Sequence, residues 1–234
     1  MSNGTLGFWG EFLMLQVLLT YPVLGIVSYL RIRSGKPLSP KPKRYRTTLA
    51  GQAVFLLVTV LAAREEQVSL IAGPWPTLTA WMGAFAFLAI SGLNAKRAWP
   101  KLKAERLERA RLIFPEEPSQ MPYWAAISVM AGVTEECAYR GLAFRFLTNN
   151  HGSVVLALVL CIASFAIGHL AQNWRAVIAM VLIAGLLHLV VYLTQTLTLA
   201  IVVHAAYDLM IGTIAMPILR KRAGGSELPQ AAEA

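Results

Sequence analysis

Apolar residues run through this chain in long blocks rather than in alternation, and seven blocks reach or approach the ~20 residues a spanning helix needs. They cover residues 8–30, 47–63, 77–93, 122–147, 154–170, 174–193 and 197–216. The pattern predicts an all-α, polytopic transmembrane helix bundle of about seven to eight spans. A re-entrant piece at 69–76, "SLIAGPWP", would alter the count. The fourth block differs from the rest. It carries "VTEECAYRGL", residues 133–142, which sets two acids and an arginine where hydrocarbon should be. A charged residue at mid-bilayer costs ~2.5–3.5 kcal/mol on insertion scales, so three in one stretch need partners or a task.

Composition agrees: 56% of the residues are hydrophobic and 14% charged, too little charge for a soluble domain of 234 residues. Charge then orients the bundle. Of the 21 Lys and Arg residues, eighteen fall at 31–46, at 96–111, at Arg175 and at 220–222. With the N-terminus outside and seven spans, all of these lie on the cytoplasmic side, as the positive-inside rule requires. The others are Arg64, in an outer loop, and Arg140 and Arg145, within the fourth block. The net charge of +9 therefore marks topology and affinity for anionic headgroups of the bilayer, and no nucleic-acid partner is expected.

The first block has no Lys or Arg before it and a cluster after it, the arrangement of an uncleaved anchor. These features predict a multi-pass protein of the plasma (inner) membrane of a prokaryote. Three regions follow: residues 1–120, three spans with basic loops; 121–216, the polar-bearing spans; and 217–234, a basic and then disordered tail. Within the 96–120 loop, "KLKAERLERARLI" reads as an amphipathic helix resting on the inner surface. Two cysteines, Cys137 and Cys161, support neither a disulfide framework nor a Cys-rich metal site.

Three polar pairs at helical spacing carry the candidate chemistry. Glu136 and Arg140 are four apart, share a face and can pair, whereas Glu135 points about 100° away. Phe165 and His169 share a face of another span, and His204 and Asp208 a face of the last. Ionisable groups inside a membrane face the bundle interior or a wet cavity, where groups on three spans can meet. His188 reads as a packing residue. A Glu and a His converging on one water form a general-base pair, and a second His can donate to an oxyanion. Neither G-x-S-x-G nor H-E-x-x-H is present.

The order EExxxR, FxxxH, HxxxD over residues 121–212 resembles the CPBP (CAAX protease and bacteriocin-processing, or Abi) family of intramembrane proteases. The resemblance implies a glutamate-dependent intramembrane peptidase without metal or other cofactor, acting on a membrane-associated peptide or protein, as type II CAAX prenyl endopeptidases do. Glu135 matches the family's catalytic acid, activating water with His169; His204 and Asp208 match its oxyanion site; Glu136, Arg140 and Phe165 are supporting residues. The prenyl endopeptidases often carry Asn where this chain has Asp208. An ionised Asp cannot donate to an oxyanion, so Asp208 is either protonated or orients His204.

Two rival readings use the same residues. Glu135, His169, His204 and Asp208 also form an oxygen and nitrogen ligand set for zinc in a metal-dependent membrane hydrolase. Alternatively, the polar groups form an ion relay or the core of a non-enzymatic immunity or scaffold protein.

Overall fold

The structure is a computed structural model that describes residues 6–71, 73–172 and 174–224, and the expected disorder beyond Gly224 lies outside them. Among the described residues every regular element is helical. The spanning helices before the 96–120 loop are α1 (Phe8–Arg33), α2 (Lys41–Glu65) and α3 (Leu78–Ala98). A short α4 (Ala104–Arg111) precedes α5 (Met121–Glu135), which continues through a π-helical segment, Glu136–Ala143, into α6 (Phe144–His151). The chain closes with α7 (Val154–Gly168), α8 (Trp174–Thr194) and α9 (Thr198–Gly224).

Six helical runs are long and apolar enough to cross a membrane, and they coincide with six of the seven apolar blocks. Several overrun their blocks at the basic ends: α2 begins at Lys41, and α9 continues through Arg220–Arg222. Lys and Arg favour helix and can carry it past the hydrocarbon edge, their long stems covering apolar surface. The seventh block forms the rod from α5 to α6, whose acids and arginine keep it out of that apolar set. The described part of the 69–76 loop adds no re-entrant helix; Gly73, at φ 141°, lies against the α8–α9 turn.

Burial explains the difference. In the six apolar runs only 11–39% of the most apolar window is buried, so most of that surface faces lipid. In the π-helical segment every residue but Gly141 is buried. The rod is thus the interior of the bundle, and the other helices shield it from hydrocarbon. Leu13 and Val17 of α1, Phe55 of α2 and Cys161 and Phe165 of α7 pack with Tyr139 and Leu142 around it.

Helices α5 and α9 cross closely at Gly132, where a Cβ would lie 2.9 Å from the Ala205 Cβ. Small residues at such crossings let membrane helices approach. Here the approach brings Glu135, one turn beyond Gly132, beside His204, the neighbour of Ala205. Helix α7 is docked differently. Its Ser164 hydroxyl donates to the Val17 carbonyl in a π-helical turn of α1, and its Cys161 thiol sits 3.9 Å from the Tyr139 carbonyl in the second π segment. A π turn widens the helix and re-aims its carbonyls, which gives α7 two fixed points.

On the basic side, Lys41 and Arg44 donate to the carbonyls of Phe114 and Leu112 at 3.0 and 2.7 Å, tying the loop after α4 to the start of α2. Helix α4 turns its apolar face to protein: Leu107 is 2% exposed and packs with Ala215 and Leu219 of α9. At the opposite end, carboxylates of Glu65 and Glu66 accept from the backbone N–H groups of Trp9 and Gly7, both at 2.7 Å. They satisfy donors that the start of α1 leaves open.

Glu136 and Arg140 form the buried pair that their spacing predicts, at 3.1 Å with both side chains almost fully enclosed. Arg140 also donates to the Ala184 carbonyl of α8 at 3.2 Å and lies 4.9 Å from the centroid of the Phe165 ring of α7. One side chain therefore links three elements. Arg140→Ala leaves an unpaired buried acid, a loss on the order of 3–5 kcal/mol. Lower yield and a lower unfolding temperature in detergent are expected, checked by a thermal-shift assay against wild type.

Candidate active site

The site grows outward from Glu136, the first residue of the π segment and 0% exposed. Its Oε1 accepts from Arg140 and also meets Nδ1 of His204, on α9, at 2.8 Å. A carboxylate partner assigns the proton to Nδ1, which leaves Nε2 as the working nitrogen. Nε2 lies 3.9 Å from Glu135 Oε2 and 3.7 Å from Asp208 Oδ2, too far for direct hydrogen bonds. A water-sized group touching all three atoms fits that spacing.

Glu135 ends α5 and is 4% exposed. Its Oε1 accepts from Gln52 Nε2 of α2 at 2.8 Å, and its Oε2 is buried without a hydrogen-bond partner. The carboxylate is thus held by one oxygen and free at the other. The free oxygen faces His204.

His169 directly follows α7, where the helix gives way to a 3-10 turn at Leu170–Gln172. Its Nδ1 is 2.8 Å from the Phe165 carbonyl, which can only accept, so Nδ1 donates and Nε2 is left free. The Phe165 ring lies between the two histidines, 4.6 Å from His169 and 6.1 Å from His204 by centroid. Asp208 sits one turn beyond His204, and its backbone carbonyl accepts from Trp124 Nε1 at 3.0 Å. A cavity of about 430 Å³ is lined by Phe165, His169, His204 and Asp208, and at its other end by Arg106 and Phe114 near α4.

All seven residues of the sequence motifs thus fall in one region, in two layers. Glu135, Glu136 and Arg140 are enclosed, with His204 between them and the cavity; His169 and Asp208 reach the cavity directly. His188 is in neither layer and packs on Phe144 with ring centroids 5.1 Å apart. Among the described residues no three His, Cys, Asp or Glu side chains form a group suited to a metal ion.

Two partners were not named by the motifs. Gln52 is the one amide in the 47–63 block, and a lone amide in hydrocarbon always needs a partner, but nothing in its surroundings says which. Glu136 had an arginine at the right spacing to account for it, which hid its second bond to His204.

The likeness to known proteins is confined to the half of the chain that holds these residues. Residues 117–210 match a family model described as type II CAAX prenyl endopeptidase Rce1-like. No curated protein and no solved structure matches the chain. The matched stretch includes all seven motif residues and excludes α1, α2 with its Gln52, and α3. Residues 117–210 of this multi-pass helical protein are therefore an Rce1-like domain, of the CPBP family that the three motifs resemble.

Proposed function

We propose that the protein is an intramembrane endopeptidase that hydrolyses a peptide bond near the membrane with a water activated by Glu135 and His169. The observation that carries this reading is the asymmetric state of Glu135: one oxygen held by Gln52, the other buried, unpartnered and facing His204. A positioned acceptor of this kind is what a general base requires.

The steps balance as follows. Glu135 takes a proton from water as the hydroxyl oxygen attacks the scissile carbonyl carbon, while His169 Nε2 accepts from the same water and orients it. The carbonyl oxygen becomes an oxyanion, which receives hydrogen bonds from protonated His204 Nε2 and from protonated Asp208. Glu136, held at Nδ1, balances the charge of the imidazolium. The tetrahedral intermediate expels the amine, which takes the proton from Glu135, leaving a carboxyl and an amino terminus.

The cavity reaches the basic loop around α4, so under the orientation set by the basic clusters the substrate enters from the cytoplasmic side. Its walls include Phe87, Ile183, Leu187 and Val203, which suit an apolar or lipid-bearing tail. A prenylated C-terminal tail is the substrate class that the family implies.

The test compares membrane-protein termini in cells carrying wild type and Glu135→Ala; new termini confined to wild type identify substrates. With purified protein and a farnesylated CAAX peptide as probe, Glu135→Ala and His169→Ala should each lose 10²-fold or more of turnover, the scale of a lost general base. Both variants should purify folded. Near-wild-type cleavage by Glu135→Ala would overturn the mechanism.

Asp208→Asn separates the two states of that residue. An amide supplies a donor of similar shape, so retained or raised turnover is expected if Asp208 donates. A fall of 10² or more, on the scale of orienting carboxylates, would mean that its charge is needed, and chelator sensitivity of wild type would then favour the metal-dependent hydrolase.

Gln52→Leu removes the hold on Glu135 while keeping an apolar-compatible shape. A roughly tenfold drop in kcat with KM unchanged is expected, since a misaligned base affects the transition state alone. Steady-state kinetics on the same probe measure the split.

A further inference from the structure

A second cavity, about 680 Å³, opens between α6, α7 and α8 and ends at residues 68–70 and the α8–α9 turn. Under the orientation set by the basic loops that end is the outer one. Arg140 contributes to its wall, so the buried Glu136–Arg140 pair lies between this groove and the first cavity, which His204 lines.

The groove is built from two kinds of surface. Its ionisable side chains are Arg140, Arg145 and His188, and no acid lines it. Arg145 is exposed and has no acidic partner among the described residues. His188 is only 8% exposed, yet its Nε2 has no hydrogen-bond partner, and Arg140 Nε is likewise unsatisfied. The remaining wall is largely apolar, and Leu189 and Tyr192, at its edge, are 50% and 72% exposed on the surface of α8.

An arginine inside a membrane bundle needs a counter-anion, and a buried imidazole nitrogen needs a polar partner. The protein supplies neither, so both requirements point to one anionic, oxygen-rich group. The flanking apolar surface, open to the bilayer, points to a hydrocarbon chain on the same molecule. We propose that this groove binds an anionic membrane phospholipid, its phosphate paired with Arg145 and accepting from His188 Nε2–H, its acyl chain lying along α7 and α8. Arg140, committed to Glu136 and Ala184, adds positive potential behind the phosphate. The site is separate from the catalytic proposal and stands without it.

The experiment uses the full chain in detergent, stripped of endogenous lipid. Dioleoyl phosphatidylglycerol, dioleoyl phosphatidylcholine and inorganic phosphate are titrated separately, with native mass spectrometry for occupancy and thermal shift for protection. Wild type should hold the glycerol lipid at least tenfold more tightly than the choline lipid, and phosphate alone should not protect. Arg145→Ala and His188→Phe should each erase most of that preference. Because Arg145 is exposed, its replacement leaves the core intact, and it carries the test if the His188 variant does not fold. Equal binding of the two lipids by wild type, or an undiminished preference in Arg145→Ala, would overturn the proposal. Protection by phosphate equal to that by the lipid would assign the groove to a soluble anion and overturn it as well.

Discussion

A carboxylate with no exposure to solvent, in a bundle surrounded by hydrocarbon, is the constraint on which the structure turns. Glu136 is stable there only because two donors from different directions meet one of its oxygens. Arg140 brings in α7 and α8 through Phe165 and the Ala184 carbonyl; His204 brings in α9. Isolated buried ion pairs are poor sources of stability, since desolvation offsets their attraction. What this one contributes is placement. It fixes where three helices sit around the rod and which nitrogen of His204 faces the cavity.

Around that anchor the two halves of the chain have unequal parts. The family likeness covers residues 117–210, and those residues carry every motif. Yet the acid proposed as the base is held from outside that stretch, by Gln52 on α2. Helix α2 also fixes, with Lys41 and Arg44, the loop that follows α4 beside the cavity mouth. The first three spans, silent in motif, thus act on the site as scaffold: one hydrogen bond to a carboxylate and a rigid rim.

Much of this was legible in the sequence because it follows local rules. Apolar blocks of spanning length gave the helices, and four-residue spacing gave the Glu136–Arg140 pair despite the wider winding of the segment that holds it. The gathering of Glu135, His169, His204 and Asp208 followed from the cost of stray polar groups in lipid. What was not legible depends on which surfaces meet. A glutamine in an apolar run announces a need but not its partner, and an amphipathic helix has a face that lipid or protein can equally cover. In α4 that cover is protein, at Ala215 and Leu219. Likewise, the pairing of Glu135 with His204 through the Gly132 crossing lies in the approach of two helices, not in any spacing along either.

The π-helical segment has a consequence for how such a chain can vary over generations. A π turn is in effect one residue added to an α-helix. Deleting a residue between Glu136 and Ala143 would let ordinary winding return, rotating all that follows by about 100° relative to what precedes. Buried Leu142 and Phe146 would swing off the core while Glu135 stayed in place. Side chains on the lipid-facing helices are free to drift among apolar types, since one greasy surface serves as well as another. The rod has no such latitude in length: across these eight positions heredity must preserve the count itself, and a frame-keeping loss of one codon there is equivalent to losing the core.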